Sequence, residues 1–192
     1  MRMPGWNYSD NGYYYITLVT QNRECNLGRI VKGKMTYSDF GRIVKQEWLK
    51  SFEIRHELFL NQWVIMPNHL HAIVILKNTK KSNDGEIGDG AKQRSNRSNH
   101  SNDLGQSPPS KLVRSPKSIS SFVGGFKSAV NSKINDYIDA HQLKIPKYNR
   151  KNHFFQNNYH DHIIRNQEEY IRIKYYIINN PGNWEGDNMI GG

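Results

Sequence analysis

The stretch from Lys77 to Pro116 constrains this chain more than any other feature. It is built from Ser, Asn, Gly, Lys and Asp and holds no aromatic residue. A segment of that kind cannot bury enough apolar surface to offset the entropy of ordering it. It is expected to be a disordered insertion at about 78–116, not a second domain. The core must come from the residues on either side. The 192-residue chain is then one domain, 1–192, with an interruption.

The first block reads mainly as strands. Tyr13 to Gln21 is rich in aromatic and β-branched residues, and Gly28 to Tyr37 alternates enough to be a second strand. Phe40, Ile43, Val44 and Trp48 recur at helical spacing, which predicts a helix over Asp39–Phe52 with Asp39 as its cap. Leu58–Met66 and His69–Leu76 are two further strands, parted by a tight break at Pro67-Asn68.

The second block opens with Ile119, Phe122, Val123, Phe126, Val130, Ile134 and Tyr137. Their three-four spacing predicts an amphipathic helix over Ser118–Ala140. Phe154–Ile164 reads as a short strand or extended loop. Asn166 and Glu169 form a capping-box pattern for a last helix, which runs to about Asn180 and stops at Pro181-Gly182. This order of elements implies an α+β sandwich with a largely antiparallel sheet.

Charge narrows the partners. The chain carries 27 Lys+Arg against 17 Asp+Glu, a formal +10. Clustered cations favour a polyanion such as nucleic acid, because they displace counterions from phosphates. The single Cys25 excludes an internal disulfide framework and reads as a small packed hydrophobe. The N-terminus lacks the apolar core of a signal peptide, and no apolar run approaches the ~20 residues of a membrane span. A cytoplasmic protein without a membrane partner is expected.

Two clusters could carry chemistry. Residues two apart on a strand share a face, so His69 and His71 present neighbouring imidazoles while Leu70 turns away. Neutral imidazole is a common metal ligand, and two such ligands leave positions open for reaction. Mg or Mn suits the chemistry, and Mn or Zn suits imidazole. On the last helix, Arg172, Tyr176 and Asn180 are spaced by four and lie on one face. Tyr176 could attack a phosphate, Arg172 could hold one, and Asn180 could offer a carbonyl oxygen to a metal. Tyr170, Tyr175 and Tyr176 are equally suited to packing. Trp63, Lys127, Lys133, Arg165 and Lys174 could form a groove for a single strand. His160 and His162 could touch a metal or a phosphate.

Three blocks of the sequence resemble one family. Trp63-Val64-Ile65-Met66-Pro67-Asn68-His69-Leu70-His71-Ala72-Ile73-Val74 resembles the signature of the IS200-like tyrosine transposases, and of their REP-associated branch in particular. Asn158-Tyr159-His160-Asp161-His162-Ile163-Ile164-Arg165-Asn166 resembles a second block, and Tyr175-Tyr176-Ile177-Ile178-Asn179-Asn180-Pro181 a third. The blocks keep the family's order and cover most of the chain outside the insertion.

The resemblance implies an HUH endonuclease with a ferredoxin-like antiparallel sheet. It implies that His69 and His71 hold a divalent metal, Mg or Mn, which Asn180 helps to complete. It makes Tyr176 the nucleophile on single-stranded DNA near hairpins, giving a 5′-phosphotyrosine and a free 3′-OH. From spacing and charge, and not from the resemblance, Arg172, Arg165 and Lys127 are the expected DNA contacts. The family contains monomers and helix-exchanging dimers, so a homodimer is compatible with it. A second reading keeps hairpin binding and drops cleavage. A zinc hydrolase is a third, but it lacks a His-Glu-x-x-His or comparable motif.

Overall fold

A computed structural model describes residues 7–78 and 117–186. The expected insertion therefore lies outside the described residues, apart from its first residue, Asn78. The elements run β1 (Gly12–Val19), β2 (Gly28–Val31), β3 (Lys34–Tyr37), α1 (Asp39–Ile54), β4 (Leu58–Ile65), β5 (His69–Leu76), α2 (Ile119–Ala140), β6 (His160–Ile164) and α3 (Gln167–Asn179). Short 3-10 helices follow β1 (Gln21–Arg23) and α3 (Asn180–Gly186).

β4, β5, β1 and β6 form one sheet, in that order, and every neighbouring pair is antiparallel. With α1 between β1 and β4, and α2 between β5 and β6, this is the β-α-β-β-α-β order of a ferredoxin-like sandwich. The expected fold class is the one observed. No helix among the described residues is long and apolar enough to cross a membrane.

Strand alternation gives the sheet two unlike faces. Tyr14, Ile16 and Leu18 of β1 and Leu70, Ala72, Val74 and Leu76 of β5 join the buried residues of α1 and α2 in the main core. Trp48 of α1 anchors it, with its ring centroid 5.1–5.4 Å from those of Phe52, Phe122 and Phe126. The opposite face carries Tyr13, Tyr15 and Thr17, in register with Ile75, Ile73 and His71 on one side and Ile164, His162 and His160 on the other. Ile173 and Ile177 of α3 pack there on Ile73 and Ile164, with Tyr15, Val64 and Tyr170 alongside.

Several local expectations change. Gly28–Tyr37 is a separate two-stranded hairpin, not one strand. Lys32 and Gly33 turn it with positive φ (50° and 71°), a conformation glycine adopts without a Cβ penalty. Ser38, not Asp39, caps α1, its side chain accepting from the Gly41 amide at 2.9 Å. A Cβ on Gly41 would meet the Leu27 carbonyl oxygen at 1.9 Å, so glycine lets α1 start against that loop. Cys25 is exposed rather than packed, because Leu27 takes the inward position in this segment. Pro181-Gly182 does not end the helical path outright. The chain tightens into the Asn180–Gly186 3-10 helix instead.

Candidate active site

β5 begins at His69, immediately after the Pro67-Asn68 break, so the two histidines sit at one end of the sheet. His69 and His71 are both buried, with ring centroids 4.4 Å apart. Leu70 faces the main core, as alternation requires.

Hydrogen bonds fix how these rings present themselves. The Asn68 side-chain amide donates to the Arg23 carbonyl at 3.2 Å, which points its oxygen at His69 Nδ1, 2.7 Å away. That oxygen can only accept, so Nδ1 carries the proton and Nε2 keeps its lone pair. Tyr15 Oη and Thr17 Oγ1 lie 2.8 and 2.9 Å from His71 Nδ1. Either hydroxyl can accept a proton from Nδ1 or donate one to it, so the pair holds the ring's orientation in either tautomer. Burial, and then the neighbouring His69 and His160, push the His71 pKa well below its ordinary 6.5. The imidazole is therefore neutral near pH 7, which is the ligating form.

α3 brings the other half of the site. Its register on Ile73 and Ile164 places Tyr176 Oη 3.4 Å from His71 Nε2, with ring centroids 5.3 Å apart. Tyr175, about 100° away around the helix, is 60% exposed, more than Tyr176 at 46%. One turn after Tyr176, Asn180 is 4% exposed, and its Oδ1 has no hydrogen-bond partner among the described residues. A buried carbonyl oxygen without a donor is costly, by about 1–3 kcal/mol. A cation would relieve that cost, and an amide oxygen is a chemically suitable ligand for one. No group of three or more His, Cys, Asp or Glu side chains able to hold a metal occurs among the described residues. The His69–His71 pair offers two imidazole nitrogens, which fall short of such a group by themselves.

Comparison with known proteins agrees with this architecture. No protein-family model matches the chain. An uncharacterized protein of Haemophilus influenzae is 32% identical over 193 residues, covering 98% of this chain and 91% of its own. The chain belongs to that protein's family. Among solved structures, a REP-associated tyrosine transposase bound to a REP hairpin matches 96% of this chain and 74% of its own, at TM-score 0.51 and 18% identity. The two chains share a fold. A putative transposase from Deinococcus radiodurans also matches, at TM-score 0.40 and 15% identity over 93% of this chain.

Within this fold the remaining sequence candidates separate. Arg172 is largely exposed on α3, its Nη2 3.7 Å from Glu169 Oε1. Arg165 is exposed just before that helix, and its backbone N–H donates to Glu169 Oε2 at 3.0 Å. The capping box is altered: Asn166 accepts from the Glu169 amide at 2.8 Å, but the Glu169 carboxylate reaches Arg165, not Asn166. His162 Nε2 meets Glu169 Oε1 at 2.6 Å and ties β6 to α3, while His160 is exposed beside Tyr15.

The expected groove of Trp63, Lys127, Lys133, Arg165 and Lys174 is not assembled. Trp63 packs against the main core, and Lys127 and Lys133 lie on α2, across the sheet from Arg165 and Lys174. Lys127 Nζ donates to the carbonyls of Gln156, Asn157 and Asn158, so its three donors hold the loop before β6.

Three residues escaped the sequence reading. Tyr15 and Thr17 contact His71, and Trp184 approaches His69 with ring centroids 6.0 Å apart. The alternation Tyr13, Tyr15, Thr17 was the available signal for the first two. Nothing local marks Trp184, because its position depends on the 3-10 turn after α3.

Proposed function

We propose that the protein is a metal-dependent single-strand DNA endonuclease and strand transferase of the transposase type, acting near DNA hairpins. One observation carries this reading: the hydroxyl of Tyr176 lies 3.4 Å from His71 Nε2, although the two residues are 105 apart in sequence. The hairpin bound to the structurally similar transposase and the +10 charge of this chain support DNA as the substrate.

His69, His71 and the Asn180 carbonyl would hold a divalent ion, Mg or Mn. When bound, such an ion supplies Lewis-acid polarisation of the scissile phosphate. The chain's own groups do the rest. Tyr15, Thr17 and Asn68 lock the two imidazoles in orientation, as hydrogen bonds to the second ring nitrogen do in metal sites. Arg172, four residues before Tyr176, offers a guanidinium to a DNA phosphate. Tyr176 Oη attacks phosphorus and loses its proton. The P–O3′ bond breaks, and the departing 3′ oxygen takes up a proton. The product is a 5′-phosphotyrosine and a 3′-OH, and the retained ester allows rejoining.

The test is covalent capture. The protein is incubated with 5′- and 3′-labelled single-stranded hairpin DNA and Mg or Mn, then run under denaturing conditions. A protein–DNA adduct is expected, dependent on the metal and absent from Tyr176→Phe and His69→Ala. Hairpin binding without an adduct in any metal would contradict cleavage and leave a DNA-binding protein.

A further inference from the structure

A second feature of the α3 face takes no part in the chemistry above. Tyr13, Asn61, Ile164, Arg165, Asn166, Gln167 and Tyr170 line an open cleft of about 370 Å³. That is near the lower end of the roughly 300–1,000 Å³ typical of ligand clefts, enough for one planar heterocycle but not several. We propose that this cleft holds one unpaired base of the DNA strand that Tyr176 cuts. The inference rests on the DNA-cutting reading and specifies where that strand is held.

The walls suit a base. Tyr13 is 42% exposed and meets Tyr170 edge-on, with ring centroids 5.8 Å apart at 78°, so the two rings are not consumed by stacking on each other. An aromatic face left open at a cleft is the platform on which single-stranded bases stack. Three amides converge beside it. Asn61 sits where the β4–β5 register slips between Leu60 and Trp63, and its oxygen accepts from Tyr170 Oη at 2.8 Å. Its NH₂ remains a donor. Asn166 accepts from the Glu169 amide through its oxygen, which likewise leaves an NH₂. Gln167 offers both a donor and an acceptor. Such groups match the polar edge of a base.

A phosphate fits this cleft poorly. The first turn of α3 carries Glu168 and Glu169, whose carboxylates repel an anion there. Cations stand at the rim instead. Lys174 Nζ lies 5.9 Å from the Tyr170 ring centroid, and Arg165 borders the opening. Backbone phosphates outside and a base inside is the arrangement these charges favour.

The cleft also lies within reach of the nucleophile on the same face. Tyr170 and Tyr176 are six residues apart on α3, roughly 9 Å along its axis. Tyr13 is four residues from Thr17 on β1, roughly 13 Å at the rise of a strand. At about 3.4 Å per stacked nucleotide, the held base would belong to a nucleotide some three or four from the phosphate attacked.

The experiment compares two fluorescent probes, a dT 15-mer and a 15-mer made entirely of abasic sites, by anisotropy titration. Tyr13→Ala is expected to weaken dT binding about 5- to 150-fold, the range for losing one stacked base. It should leave the abasic strand unchanged, and Tyr13→Phe should retain dT affinity. Gln167→Ala should also weaken dT alone. Equal loss on both strands, or no loss on dT, overturns the proposal. A separate readout on the unaltered protein covers misfolding of a variant. A strand carrying 5-iodo-dU should photocrosslink to Tyr13 or Tyr170, and crosslinks found only elsewhere overturn the assignment. If Tyr176 forms the covalent adduct while these results are negative, the base site alone fails. If the unaltered protein binds neither strand, the DNA-cutting reading fails with it.

Discussion

The two faces of the central sheet are made by the same strands and behave oppositely. On the α1–α2 face, alternate residues of β1 and β5 are aliphatic or aromatic and closed off by two long helices. On the α3 face, the intervening residues include Tyr15, Thr17, His69 and His71, covered by a single 13-residue helix. One face can be judged by its packing. The other is polar, partly open, and keeps a buried Asn180 oxygen without a hydrogen-bond partner among the described residues. Strand parity thus divides the packing residues from the candidate site residues, one position at a time.

Substitutions at adjacent positions can break that division. Leu70→Ala removes a fully buried side chain from the packed face and is expected to lower unfolding free energy by about 2–5 kcal/mol in urea titrations. A loss under 1 kcal/mol would mean that the main core does not run beneath the histidines. On the other face, Thr17→Val keeps the shape and removes one hydroxyl from His71 Nδ1. It should weaken Mn binding in calorimetry by about 10- to 100-fold, equal to about 1.4–2.7 kcal/mol. Its melting temperature should change far less than that of Leu70→Ala.

Smaller effects sharpen the comparison. Asn180→Leu removes a buried amide oxygen that has no hydrogen-bond partner among the described residues. Metal-free stability should rise, by about 1 kcal/mol, while Mn affinity falls. A fall in both would make Asn180 a structural residue. Glu169 gives the smallest expected effect. The Arg165 backbone N–H, followed by His162 and Arg172, holds its carboxyl below the ordinary 4.5 despite partial burial. A carboxylate with a depressed folded-state pKa adds stability above the unfolded value, and that stability is lost as pH falls through the folded one. Melting temperature should therefore drop on acidification below about pH 4.5, and Glu169→Gln should shrink that drop without changing the neutral-pH core.

Most of the α1–α2 face was legible in the sequence, because burial there follows simple periods. Ile119, Phe122, Phe126 and Val130 mark α2, and the bounds of β5 at His69 and Leu76 coincide with those expected. Errors fell where a turn or cap depends on one backbone geometry. The positive φ at Lys32 and Gly33 splits an apparent strand, and Ser38 outcompetes Asp39 because its side chain reaches the Gly41 amide.

The site was legible as two halves and not as a whole. The pairing of His69 with His71 follows from strand parity, and that of Tyr176 with Asn180 from helical spacing, while the resemblance singles out Tyr176. Which tyrosine meets the histidines was not decidable from spacing alone, since Tyr175 and Tyr176 differ by about 100° around α3. The packing of Ile173 and Ile177 on Ile73 and Ile164 sets that rotation. The grouping of basic residues failed for a related reason: composition records that cations exist, not which side of a sheet they occupy.

If α3 delivers Tyr176, and not its neighbour, to the histidine pair, the covalent complex trapped on labelled hairpin DNA identifies it once digested and sequenced by mass spectrometry. A 5′-phosphotyrosine on Tyr176 is expected, with Tyr175→Phe still forming the adduct. DNA attached to Tyr175, or an adduct that persists in Tyr176→Phe, would contradict that expectation.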